Sequence, residues 1–345
     1  MKFENKVRAL ASVAGALVLV LAASLALGPR YDRSGKVAMR LLESISASEV
    51  GMIEVAGRAA LVLERQGNSW FVKVGASKYP AKVDRVQDFL TKAFDIAEMA
   101  YVGTGSEAWE GFGLSPSSAA RVTVKTLSGT VVGDFYAGSR DLLNQGVYVR
   151  LEGSEESYVA PSGFSTYLES YALAPAQWED ARVLPGIDAQ SVARVSLKGR
   201  LERSAPSEGQ DPNVEVDYIL ESKNGSWVAR GIDGMEIDAE KVKTYLSSLG
   251  SYSADEYVEP SDEQGLSSPA LTLTVGYFET INFFTGARSA QPDTVIDIAK
   301  GKDGSYYLSA RGKGYVLKTT LYGVSQIAKE IDYFKKVAST ASPTP

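Results

Sequence analysis

Histidine and cysteine are both absent from the 345 residues, which removes most familiar catalytic chemistry. Histidine bases, Ser-His-Asp triads, thiolate nucleophiles and zinc held by His or Cys are excluded. Carboxylate pairs, Ser-Lys dyads, tyrosine acids and calcium or magnesium held by oxygen alone remain open. Four stretches carry side chains of these kinds. Asp211, Asn213, Glu215 and Asp217 alternate like calcium ligands. Pro212 and Val216 stand where an EF-hand loop must bend, and no Glu closes the loop, so the alternation marks the solvent side of a strand. Gly103-Thr104-Gly105-Ser106-Glu107-Ala108 imitates a dinucleotide fingerprint, which needs a strand before it and a helix after it. Here a helix is expected before it and Trp109 to Gly113 after it, so it reads as a loop. Glu179, Asp180 and Arg182, beside Trp178, form either a charged site between domains or, by preference, a linker ion pair. Tyr277-Phe278, Phe283-Phe284 and Tyr306-Tyr307 load the late strands with aromatics. Strand neighbours face opposite sides, so one of each pair is expected to be exposed, and these six residues are the candidate surface for a partner or glycan. No catalytic, cofactor-binding or metal-ligating residue is assigned, and no cofactor is expected.

The elements that position these residues are more legible, because the chain says nearly the same thing twice. Gly67-Asn68-Ser69-Trp70 returns as Asn224-Gly225-Ser226-Trp227, Tyr101-Val102 as Tyr257-Val258, and Gly113-Leu114-Ser115 as Gly265-Leu266-Ser267. The tryptophans lie 157 residues apart, the tyrosines 156 and the glycines 152. Two copies of so long a unit mean two domains of one fold rather than a solenoid. Trp70 and Trp227, each following a hairpin turn, read as core anchors, and Gly113-Leu114 and Gly265-Leu266 as structural turns.

In the first copy, strands at 52–55 and 60–64 precede a Gly67-Asn68 turn and a returning strand at 70–74. Val83, Val86, Phe89, Leu90, Ala93 and Phe94 then recur at helical spacing. Strands continue at 122–127, 131–136, 147–151 and 157–160, and a helix from Phe164 to Tyr171 closes the copy. The second copy repeats the plan with strands at 195–197, 214–220 and 227–229 and a helix from Val242 to Leu249. Hairpins follow at 271–275 with 278–284 and at 295–298 with 306–308, then a strand at 315–317 and a terminal helix from Leu321 to Phe334. Hairpins without strand-helix-strand alternation predict an α+β fold of antiparallel sheets with helices on one face. The expected domains are 50–172 and 192–336, joined by a linker at 173–191 that holds Pro175, Trp178 and Pro185, with a disordered tail at 337–345.

Ahead of the repeats, Ala9 to Leu27 gives nineteen residues without a charge, preceded by Lys2, Lys6 and Arg8. At about 1.5 Å per residue such a helix just spans a hydrocarbon core of about 30 Å. Residues 1–29 therefore read as an uncleaved signal anchor, with cleavage after Ala26 as the alternative. Residues 30–49 read as a juxtamembrane helix or stalk. The net charge of −6, with no basic run beyond the N-terminal region, argues against nucleic acid as a partner.

The parts and their order resemble a bacterial family of unknown function, DUF4340. The likeness rests on the membrane-anchored start, Asn68-Ser69-Trp70, Tyr79-Pro80-Ala81, Phe112-Gly113-Leu114 and Val147-Tyr148-Val149-Arg150. It is looser in the second copy, where Glu236-Ile237-Asp238 replaces Tyr-Pro-Ala. The resemblance carries no catalytic residues, but it implies a setting beside a gliding-type ABC transporter. The expected function is thus a non-enzymatic, single-pass inner-membrane protein with its bulk extracytoplasmic, acting as an accessory or scaffold for transporter subunits. The alternative is an envelope polymer or lipid binding module using the cleft between the repeats.

Overall fold

A computed structural model describes residues 36–337 except 44, 58, 233 and 282–287. The apolar stretch Ala9 to Leu27, Phe283-Phe284 and nearly all of the expected tail lie outside the described residues. No helix among the described residues is long and apolar enough to cross a membrane.

In chain order, strands β1 (Lys36–Ala38), β2 (Val50–Gly57), β3 (Leu61–Gln66), β4 (Ser69–Val74) and β5 (Ser77–Pro80) lead to helix α1 (Val83–Phe94). Then come β6 (Glu98–Thr104), the short α2 (Ser106–Gly111), β7 (Ala120–Thr126), β8 (Val131–Arg140), β9 (Gly146–Leu151) and β10 (Glu156–Pro161). The linker holds α3 (Pro175–Trp178). The second copy has β11 (Val192–Glu202), β12 (Asn213–Lys223), β13 (Ser226–Ala229), α4 (Ala239–Ser251), β14 (Glu256–Val258) and β15 (Leu271–Tyr277). A small ribbon of β16 (Thr280–Ile281) and β17 (Arg288–Ser289) precedes β18 (Thr294–Lys300), β19 (Tyr306–Ala310), β20 (Val316–Thr319) and α5 (Leu321–Ile327).

These elements form two compact units. One holds the described residues up to Leu61 together with Gln87–Ala174; the other holds Val62–Val86 together with the described residues from Pro175 onward. In the first unit the strand order is β1-β6-β10-β9-β8-β7-β2, antiparallel throughout. In the second, the meander β3-β4-β5 accompanies an antiparallel sheet ordered β13-β12-β11-β15-β18-β19-β20-β14. The class is α+β with two antiparallel sheets, as the hairpin pattern predicts.

The repeat is real at the level of topology. The run β6-β10-β9-β8-β7-β2 has the same order as its counterparts β14-β20-β19-β18-β15-β11. Both first strands slip register at their second residue, between Val50 and Met52 and between Val192 and Arg194. The buried helix faces also match: Val86, Phe89, Leu90 and Ala93 in α1 stand 156 residues before Val242, Tyr245, Leu246 and Leu249 in α4. In the second unit those α4 residues join Val195, Leu197, Tyr218 and Leu220 in one core, so the helix covers the apolar face of the β11–β12 pair. Trp70 and Trp227 are each the second residue of their strand, but Trp70 is 4% exposed and Trp227 only half-buried. The difference follows from pairing, because β5 flanks β4 whereas β13 is a sheet edge.

Four expectations need correction. Part of the expected stalk is folded into the first unit, since β1 pairs with β6 and Leu41 and Leu42 are buried. The strand at Leu271 pairs with Ile298, and Val275 with Thr294, rather than with Phe278 to Phe284. The closing helix of the first copy is a 3-10 turn at Ser162–Tyr167. The terminal helix stops at Ile327, and a 3-10 turn at Ile331–Phe334 follows an extended step. The Tyr218 hydroxyl, donating to the Lys329 carbonyl at 2.8 Å, holds that step open.

Candidate functional site

The β4–β5 hairpin and the linker build the largest described pocket, and all of it belongs to the second unit. Val72 pairs with Tyr79 and Phe71 with Pro80 across the hairpin, and the Ala81 amide donates to the Trp70 carbonyl at 2.8 Å. The linker docks alongside: the Asp180 amide donates to Pro80 O and the Lys82 amide to Trp178 O, both at 2.7 Å. Trp178 is buried, with the Arg85 guanidinium 4.7 Å from its ring centre. Beyond Asp180 the linker turns away, because the Val183 amide bonds Tyr252 O and the Ala181 carbonyl accepts from Ala254. The Tyr79 ring stacks on Tyr257 at 4.6 Å, and the Tyr257 hydroxyl donates to the Asp180 carbonyl at 2.6 Å.

Where the linker diverges from β5, a cavity of 880 Å³ opens, bordered by Trp70, Lys78, Asp180, Arg182, Tyr277 and Lys313. Its size lies toward the top of the range of small-ligand sites. Asp180 is buried and receives Arg182 in a two-bond pair, Nε at 2.7 Å and Nη2 at 2.6 Å. Such bidentate pairs fix geometry as well as charge. Lys78 reaches Glu64 at 2.8 Å, and this hydrogen bond holds the Glu64 carboxyl below its ordinary range. Lys313 makes no ion pair among the described residues.

A model of DUF4340, a domain of unknown function, matches residues 70–269, more than half of the chain. The chain belongs to this family. No curated protein and no solved structure matches it. The DUF4340 match takes in Trp70, Lys78, Asp180 and Arg182 but ends before Tyr277 and Lys313. One wall of the pocket therefore lies inside the family region and the other beyond it.

The sequence-derived candidates scatter in this DUF4340 chain. Asp180 and Arg182 form the expected ion pair and also line the pocket. Tyr277 stands in the pocket wall, its hydroxyl 3.2 Å from Thr294 Oγ1, and Phe278 is exposed. Tyr306 and Tyr307 are both buried, contrary to the expected alternation; their hydroxyls donate to Glu202 and, at 2.9 Å, to Asp303. Strand β19 lies between β18 and β20; Tyr306 joins the core of the second unit, whereas Tyr307, on the opposite face, lies against Gly301 in the β18–β19 hairpin. The aromatic pairs accordingly form no common described surface.

The glycine-rich stretch is also corrected. Strand β6, not a helix, precedes Gly103 to Ala108, and α2 follows. The strand is antiparallel, and the Gly105 amide, Thr104 Oγ1 and Trp109 Nε1 all donate to the Glu155 carbonyl. Those donors close a turn rather than cradle phosphate. Gly113 and Gly265 take the same left-handed conformation, as turn residues should, and Leu114 is buried while Leu266 is half-buried. Glu215 and Asp217 face solvent between the buried Val216, Tyr218 and Leu220, and no metal-holding cluster occurs among the described residues.

Glu179, bridged to Ala81 beside the pocket, is half-buried, and its carboxyl is raised above the usual range. Desolvation is the larger cause and the Glu256 charge adds to it, against the pull of Lys82. The folded state thus holds this proton to higher pH than the unfolded state does. Stability is lost as pH rises from the unfolded pKa through the raised one. Glu179→Gln is expected to raise the melting temperature at pH 7 and leave it unchanged at pH values below both pKa values. Thermal unfolding at the two pH values checks this; equal melting temperatures at pH 7 would refute the ionised-burial cost.

Proposed function

We propose that this DUF4340 protein is a non-enzymatic, membrane-tethered extracytoplasmic binding protein, an accessory or scaffold subunit of an ABC-type transporter, with the pocket as its docking site. The observation that carries the reading is the pocket's construction. The β4–β5 hairpin, the linker and later strands of the same unit contribute walls, and the buried carboxylate Asp180 is committed to Arg182 through two hydrogen bonds. General acid–base work requires a group free to reach a substrate proton. Asp180 instead acts as a structural counter-ion that leaves a shaped, partly charged concavity. Tethering is supported by the uncharged run from Ala9 to Leu27. The transporter association is what the likeness to family members implies.

A second reading places an envelope polymer or lipid in the same pocket. It is favoured by the aromatic walls Tyr277 and Tyr315. Affinity purification of the full chain from membranes, compared with a chain lacking residues 9–27, separates the two readings. ABC-transporter subunits should copurify with the full chain and diminish with Arg182→Glu. Reproducible failure to recover any membrane protein, with retention on peptidoglycan or lipid vesicles, would overturn the first reading in favour of the second.

A further inference from the structure

We infer that Lys329 is a covalent capture site, whose amine condenses with a small, uncharged hydroxyaldehyde in a second pocket of the second unit. The side chain is placed by the extended step between α5 and the 3-10 turn at Ile331–Phe334. Tyr218 fixes that backbone by donating to the Lys329 carbonyl at 2.8 Å. The Lys329 amine turns back toward α5 and donates to the Ser325 carbonyl at 2.6 Å. A cavity of 300 Å³ lies here, near the lower limit for small-ligand sites, bordered by Arg203, Ser204, Gln210, Ser325, Lys329 and Tyr333.

Every other charged group of the wall is already matched. Arg203 grips Glu330 with Nε at 2.6 Å and Nη2 at 2.8 Å, a bidentate pair that commits both. Glu202 accepts from Lys300 at 2.8 Å and from the Tyr306 hydroxyl. Lys329 makes no ion pair among the described residues, and its amine lies 5.4 Å from the Tyr333 ring centre. The lysine is thus half-buried without a counter-ion, and desolvation lowers its pKa below the ordinary lysine range. A lysine on a helix-end carbonyl is commonly a cap that favours the ammonium form. Here α5 has only seven residues, too few for a strong dipole, and desolvation prevails. One amine hydrogen suffices for the Ser325 bond, so the neutral amine keeps its lone pair for an electrophile.

Charge balance selects the electrophile. With the amine neutral, Glu202 offsets Lys300 and Glu330 offsets Arg203, so the wall favours no ionic ligand. Ser204 and Gln210 offer hydrogen bonds suited to hydroxyl groups. The amine attacks the aldehyde carbon and a C–N bond forms. The carbonyl oxygen then leaves as water with both amine hydrogens, and an imine remains. No oxidant or reductant is consumed.

Reductive trapping on the full-length chain in detergent micelles tests the inference, with glyceraldehyde as probe and cyanoborohydride to fix the imine. Peptide mass spectrometry locates the adducts. At pH 7 Lys329 should be trapped several-fold faster than Lys313 and Lys335, which are exposed. The advantage should narrow toward about pH 10, where ordinary lysines also lose their protons. Ser325→Asp places a carboxylate one helical turn from the amine and should slow Lys329 to the rate of Lys335, whereas Ser325→Asn should not. Equal rates at pH 7, an undiminished advantage at the higher pH, or a folded Asp variant that reacts like the parent chain overturns the inference. If the Asp variant does not fold, the pH comparison in the parent chain decides.

Discussion

Gly199→Ala should destabilise the second unit by about 3–5 kcal/mol, a cost in the range reserved for strained backbone combined with a hard clash. Gly199 has φ +128°, and a Cβ there would lie 2.1 Å from the Ala270 carbonyl oxygen, which belongs to backbone and cannot rotate aside. The neighbouring strand β15 begins at Leu271 and pairs with β11 through this point, so relief requires separating two central strands. Gly57 repeats the arrangement in the first unit, with φ +105° and a Cβ position 2.2 Å from Ala119 O. Gly57→Ala should cost a similar amount there. Gly209→Ala is the control: its φ is +79° but nothing lies within 4 Å, so only the conformational penalty of about 1 kcal/mol applies. Urea unfolding followed by tryptophan fluorescence measures all three. An effect at Gly199 no larger than at Gly209 would mean that the strands part easily at this point.

Those paired glycines show where sequence reading succeeded and where it stopped. The repeat was visible through turn chemistry: Gly67-Asn68 against Asn224-Gly225, the following tryptophans, and Gly113 against Gly265. Turns, hairpin strands and the apolar face of α1 are written in nearby residues, so local rules recover them. Gly57 and Gly199 carry no such signal, because what makes them glycine is a carbonyl more than 60 residues away. Non-local pairing hid other features too. Local apolar pattern points Leu271 to the nearest apolar run, whereas its partner Ile298 lies beyond the β16–β17 ribbon. Nothing local marks Val62–Val86 as packing with residues after Pro175, although Tyr79 sits in that unit's core. Of the pocket, Asp180 and Arg182 were legible as a pair and Tyr277 as an aromatic of interest. Lys78 and Lys313 were not, since their convergence is a product of the fold.

The end of the chain supplies the other large effect. Phe334→Ala should cost about 3–5 kcal/mol, the usual result of deleting a buried aromatic that cannot be replaced by collapse. Phe334 is fully buried, with edge-to-face contacts to Tyr245 at 5.1 Å, Tyr333 at 5.0 Å and Tyr218 at 6.0 Å. Its carbonyl accepts from the amide of Asp238, whose side chain caps the start of α4. The Tyr245 hydroxyl donates to the Ile327 carbonyl at 2.6 Å, tying the same helix to the end of α5. Removing the ring therefore opens a cavity at the point where α4, β12 and the closing segment meet. Phe334→Leu keeps most of the volume and should cost less than about 1.5 kcal/mol. Hydrogen exchange should show the α4 amides losing protection in Phe334→Ala but not in Phe334→Leu. Undiminished protection of α4 in the alanine variant would mean that the helix is held by β11 and β12 alone, and that the closing segment is a passenger on the fold.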